Sequence, residues 1–199
     1  MDDKVTNTTN VAETYLEIGN CFIENDWYQQ AIKTLTKAIE LNPNYGAAYE
    51  RRGLAYGYMC EYGDAIADFM VALKFNDANA GTHHNLGLCF YKIWRSDEAI
   101  KHYNRAIELS PDIALFYINR GIAFYSLGKF RDAIADYSKA IRLKTEDTEV
   151  YTYRGDVLAT LGKYKKAMVD YDKALSENPC DIHAYAGRAL VMSYSTLPE

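Results

Sequence analysis

Two asparagines, Asn85 and Asn119, carry the clearest chemical suggestion in this chain. A side-chain amide offers donors and an acceptor together, so a row of them can pair with the backbone of an extended peptide whatever its side chains. Groups suited to bond-making are scattered. His83 and His84 are adjacent, which turns them to different faces of a helix, and His102 falls on the next element. With Cys89 they do not compose a metal site, because the ligands would sit on separated faces. Leu127-Gly128-Lys129 and Leu161-Gly162-Lys163 look like pieces of a phosphate loop, but lack its first glycine and the Ser or Thr after Lys. The acidic pairs Asp97-Glu98 and Glu146-Asp147 are explained by the preference for negative charge at helix N-termini. No Ser–His–Asp, Cys–His or metalloprotease pattern occurs. The expectation is a protein with no catalytic residues, no metal and no cofactor.

The elements that position these residues follow a fixed period. Gly19, Gly53, Gly87, Gly121 and Gly155 recur every 34 residues. Ala31, Ala65, Ala99, Ala133 and Ala167 keep the same interval, as do Ala38, Ala72, Ala106, Ala140 and Ala174; Pro43, Pro111 and Pro179 return at twice it. Such a period means stacked copies of one supersecondary unit. Glycine within a helix costs roughly 1 kcal/mol relative to alanine, so five in register require close helix contact. Proline after a second helix ends it for want of an N–H. Arg52, Arg120 and Arg154 precede three of the glycines, and the same copies carry Asp68, Asp136 and Asp170; the other two have Ile18 with Thr34 and Leu86 with His102. Charges that come and go together predict a structural ion pair between paired helices.

Tyr49, Gly53, Tyr56, Ala65, Phe69 and Ala72, and their counterparts one period away in either direction, give the chain a pattern that resembles tetratricopeptide (TPR) repeats. The phase sets five repeats at 12–45, 46–79, 80–113, 114–147 and 148–181, with His83 replacing an aromatic in the third. The resemblance implies an all-α fold, an α-solenoid of helix–turn–helix units in a right-handed superhelix. It also implies a non-enzymatic interaction scaffold or adaptor whose first helices line a concave groove. Carried onto this sequence, the groove residues are Leu54, Tyr58, His84, Asn85, Leu88, Tyr91, Ile118, Asn119, Ile122 and Tyr125. A peptide segment of a partner protein is the expected ligand. The family's chaperone-tail clamp needs paired Lys and Arg, and no three-repeat window supplies them against a carboxylate.

Composition narrows the classes further. A net charge of −5 with an acidic start argues against a nucleic-acid groove. No run of residues is long and apolar enough to insert in a membrane. Four cysteines without C-x-x-C spacing fit a reducing, cytoplasmic setting, with Cys21 and Cys89 expected as small buried residues. Residues 1–11 are polar and read as a flexible lead. Residues 182–199 begin a sixth repeat as a capping or partial-repeat helix and tail, with Leu190, Val191, Met192 and Tyr194 close together. That apolar cluster leaves an alternative: a self-assembling module that forms a homo-oligomer through residues 182–195, or a segment of a larger TPR protein.

Overall fold

The computed structural model describes residues 2–195, with side chains from Asn10 to Tyr194. Among them are eleven α-helices and no strand: α1 (Asp2–Glu24), α2 (Tyr28–Leu41), α3 (Gly46–Tyr58), α4 (Tyr62–Phe75), α5 (Ala80–Lys92), α6 (Ser96–Leu109), α7 (Ala114–Ser126), α8 (Phe130–Arg142), α9 (Glu149–Thr160), α10 (Tyr164–Glu177) and α11 (Ile182–Ser195). The chain forms two compact units, one through Leu109 and one from Ser110. In the first unit α1/α2, α3/α4 and α5/α6 pair, and α2 packs on α3 and α4 on α5. In the second, α7/α8 and α9/α10 pair, and α11 lies against α10 and α9.

Helix ends follow local chemistry. α2, α6 and α10 stop two residues before Pro43, Pro111 and Pro179. Asn79 caps α5, its side chain accepting from the Thr82 amide at 3.0 Å, and Asp181 caps α11 from the Ala184 amide at 2.9 Å. Within each pair the turn places one residue in the left-handed region: Asp26, Cys60, Trp94, Gly128 and Gly162 have φ of 61–69°. The two suspected phosphate-loop fragments are these turns. The stretch expected to be a flexible lead is instead helical from Asp2 onward, since neither Gly nor Pro interrupts the chain before Gly19. Met1 of that lead, and residues 196–199 of the expected tail, lie outside the described residues.

The repeated glycines mark the closest contact in each pair. A Cβ on Gly19, Gly53, Gly87, Gly121 or Gly155 would sit 2.6–3.0 Å from Leu35, Phe69, Tyr103, Tyr137 or Tyr171 respectively. These side chains are at most 2 % exposed. Beside three of these contacts lies the expected ion pair, each of two-pronged geometry. Arg52 donates to Asp68 through Nε (2.7 Å) and Nη2 (2.8 Å), Arg120 to Asp136 (2.8 and 2.7 Å), and Arg154 to Asp170 (2.8 and 2.6 Å). The aspartates are buried and the arginines nearly so.

The third pair replaces this chemistry. His102 stands where the aspartates stand, and its Nδ1 is 3.3 Å from His83 Nδ1, the two rings stacked 5.6 Å apart. The sequence-based expectation that the histidines stay apart is therefore corrected: one turn of α6 meets the start of α5. His83 Nε2 is 3.1 Å from the Asp77 carbonyl, which only accepts, so Nε2 carries the proton. Between the two Nδ1 atoms one ring donates and the other accepts, as the tautomers set. Burial lowers the pKa of His102, helped by His83 and Lys101, and burial lowers that of His84, partly offset by its hydrogen bond to Asn85.

Two predictions follow from these pairs. Asp170→Thr alone leaves Arg154 without its carboxylate and is expected to cost about 3 kcal/mol. Adding Arg154→Ile, the combination present in the first repeat, recovers part of that loss in urea denaturation; a further loss would contradict the paired role. The lowered histidine values mean the neutral forms are favoured in the folded chain. Below the unfolded histidine pKa of about 6.5 the unfolded state binds more protons, so stability falls as the pH falls through that value. The Tm is expected to drop from pH 7.5 to pH 5.5, and His102→Asn, which keeps a donor toward His83, flattens the drop. An equal drop in the variant would show that His102 does not carry it.

Candidate functional site

The first unit has an open, largely apolar pocket of about 190 Å³. It is lined by α3 (Leu54, Gly57, Tyr58), α4 (Tyr62, Phe69) and α5 (Asn85, Leu88, Cys89, Lys92). An apolar cavity of roughly 150 Å³ holds a benzene ring, so this one has room for one large apolar side chain. Its walls are fixed by the pairing described above. Phe69 is locked beneath Gly53, and Tyr58 stacks on Tyr28 with ring centroids 4.9 Å apart. Burial pushes the Cys89 thiol up to about 11, which keeps it neutral in the pocket wall. Asn85 and Lys92 add polar groups to the lining beside the Tyr58 and Tyr62 hydroxyls; Lys92 is the single cation among the lining residues.

The sequence-derived groove residues divide by burial. Leu54, Tyr58, Asn85 and Leu88 meet in this pocket. Tyr91, on the same helix, is half-buried outside it. His84 is buried against the Tyr103 ring, with centroids 5.8 Å apart, and so belongs to the core rather than to an open surface. In the second unit Ile118 is 2 % exposed and is likewise core. Asn119 and Ile122 are half-buried, and Tyr125 is exposed with its ring tilted on Phe130. Both corrections have one cause: helical phase tells which way a side chain leaves its own helix, not how deep its neighbours cover it.

Gly57, Tyr62, Phe69, Cys89 and Lys92 were absent from the ten sequence-derived groove residues. Gly57 had a visible signal. The same position in the other repeats holds Ile23, Tyr91, Tyr125 and Ala159, so glycine there removes a side chain and opens the pocket. A Cβ at Gly57 would meet nothing within 4 Å, so packing does not demand this glycine. Cys21, expected as buried, is exposed, while Cys89 is buried. Among the described residues no three His, Cys, Asp or Glu gather closely enough to hold a metal ion, and no helix is long and apolar enough to cross a membrane.

Residues 12–45 and 148–179 match tetratricopeptide repeat families, and residues 95–128 and 121–162 match a TPR repeat family. A 66-residue stretch is 32% identical to the nuclear autoantigenic sperm protein of Homo sapiens, covering 29% of this chain but 8% of that protein. The fold is similar to that of MamA (TM-score 0.78, 24% identity, 85% of this chain and 92% of that one). It is similar also to that of YrrB, described as a TPR protein with an unusual peptide-binding site (TM-score 0.78, 21% identity, 88% and 90%). The C-terminal part of a TPR repeat-containing protein from Cytophaga hutchinsonii aligns with a TM-score of 0.81 at 24% identity, over 90% of this chain and 71% of that one. Helix pairs in unbroken register, a glycine at each close contact and these matches lead to one conclusion: the chain belongs to the tetratricopeptide repeat family, α-solenoid proteins that serve as protein–protein interaction modules.

Proposed function

We propose that the chain is a non-enzymatic adaptor that holds an extended segment of a partner protein, seating one apolar side chain in the pocket of the first unit. The observation that carries this reading is the opening made by Gly57 between Leu54, Tyr58, Leu88 and Phe69. Apolar walls supply the affinity, roughly 25 cal/mol for each Å² of apolar surface removed from water. Asn85, whose side chain is hydrogen-bonded to His84, supplies its remaining amide donors to the peptide backbone. The description of YrrB as peptide-binding supports the same class of ligand. A chaperone carboxylate clamp fits poorly, because Lys92 stands alone where paired cations are needed and Glu50 is tied to Asn79 at 3.2 Å. In the second unit Asn119, Ile122 and Tyr125 offer a further surface of the same chemistry, to be tested separately.

Self-assembly through residues 182–195 is the second reading. Exposed Ile182, Tyr185 and Leu190 on α11 support it, and a size that grows with protein concentration is its signature.

The pocket can be closed without disturbing the fold. Gly57→Leu adds a side chain in open space and improves helix propensity by close to 1 kcal/mol, so the variant should be at least as stable as the parent. Peptides selected from a random library on the parent chain are expected to share an apolar anchor and to lose at least tenfold in affinity for Gly57→Leu. Asn85→Ala should weaken the same peptides while the chain stays folded, its Tm lowered by the loss of the hydrogen bond to His84. Selected peptides that bind Gly57→Leu undiminished would place recognition elsewhere.

A further inference from the structure

α11 repeats the first helix of a pair, and among the described residues no second helix covers it. Tyr185, Arg188 and Met192 stand 34 residues after Tyr151, Arg154 and Leu158. Leu158 is 7 % exposed, packed in one cluster with residues of both α10 and α11, whereas Met192 is 52 % exposed.

Arg188 is the informative residue. Two of the arginines in complete pairs, Arg52 and Arg154, reach a hydroxyl on the preceding second helix through Nη1, at 3.0 Å to Thr36 and to Ser138. Arg52 and Arg120 each lie over a tyrosine three residues earlier, Cζ standing 5.6 Å from the Tyr49 or Tyr117 ring. All three present Nε and Nη2 to an aspartate sixteen residues later. Arg188 keeps the anchoring contacts: its Cζ lies 5.5 Å from the Tyr185 ring, and Nη1 donates to Asp172 Oδ1 at 3.1 Å. Its Nε and Nη2, the edge that receives aspartate in the others, make no hydrogen bond among the described residues. The guanidinium is held ready for a two-pronged carboxylate.

We propose that this face of α11 docks a helix of a partner protein that presents an aspartate to Arg188. The frame is given by the three helices that already do this here: Ala65-Asp68-Ala72, Ala133-Asp136-Ala140 and Ala167-Asp170-Ala174, an Ala-x2-Asp-x3-Ala pattern. One position differs. In those pairs the residue after aspartate is Phe69, Tyr137 or Tyr171, whose ring lies on a glycine. Here Ala189 holds the glycine position, and its methyl group fills the space of that ring. The docked helix therefore carries a small aliphatic residue after its aspartate. A second copy of the chain does not fit this description, because α4, α8 and α10 bury their aspartates against their own arginines. The site is separate from the pocket of the first unit, and neither depends on the other.

The test uses a helix-stapled peptide of residues 163–178 carrying Tyr171→Val, titrated by fluorescence anisotropy against the full chain. Saturable binding is expected, weakened at least tenfold by Asp170→Asn in the peptide or by Arg188→Gln in the chain, and weaker again with Tyr171 restored. Arg188→Lys, which keeps the charge but not the two-pronged edge, should also weaken it, and circular dichroism checks that each variant remains helical. Gly57→Leu should leave this binding unchanged. No binding, binding indifferent to both charge changes, or a peptide-free dimer that occludes α11 would overturn the proposal.

Discussion

Backbone contact at a side-chain-free position organises each helix pair. A glycine on the first helix receives the side chain found sixteen residues later, and the space left over is smaller than a methyl group: a Cβ at Gly121 would lie 2.6 Å from the Tyr137 ring. Because that side chain is fully buried, its position fixes the crossing of the two helices, and the crossing fixes where the next pair can pack. Arg52 and Arg154 then link three helices at once. Arg154 joins Ser138 on α8 to Asp170 on α10 from its own place on α9. Stability of such arrays comes from neighbour-to-neighbour terms of this kind rather than from one central core.

The register of the helices, their stops before proline and the Arg–Asp pairs were legible in the sequence because five versions of each position could be compared. A charge pair that appears in three copies and vanishes in two states its own partner. Depth was not legible. His84 and Ile118 leave their helices in the phase expected of groove residues, yet each ends in the core, since phase fixes direction while burial depends on the neighbours. The His83–His102 contact was missed for a related reason: adjacency of His83 and His84 drew the comparison along one helix, when the informative comparison ran between His102 and the aspartates at its position. Gly57 was readable as the copy without a side chain and passed unnoticed because glycine elsewhere in the chain serves packing.

Differences among the copies locate the chemistry. The second repeat gives up a side chain at Gly57 and gains a pocket. The third exchanges an ion pair for two imidazoles, and with it a fixed charge for one that follows pH. The start of a sixth exchanges the contact glycine for Ala189 while keeping the arginine. Each departure leaves the spacing intact, so recognition can vary while the scaffold does not.

Burial sets one of the four thiols apart. Cys21, Cys60 and Cys180 are exposed, whereas Cys89 sits in the pocket wall with its thiol held up at about 11. A thiol reacts as its thiolate, so Cys89 is chemically silent while α5 stays packed and becomes ordinary once that packing opens. Modification of this single sulfur is therefore expected to wait on the opening of the third repeat, which would make it a covalent record of that opening, whereas the other three are exposed from the start.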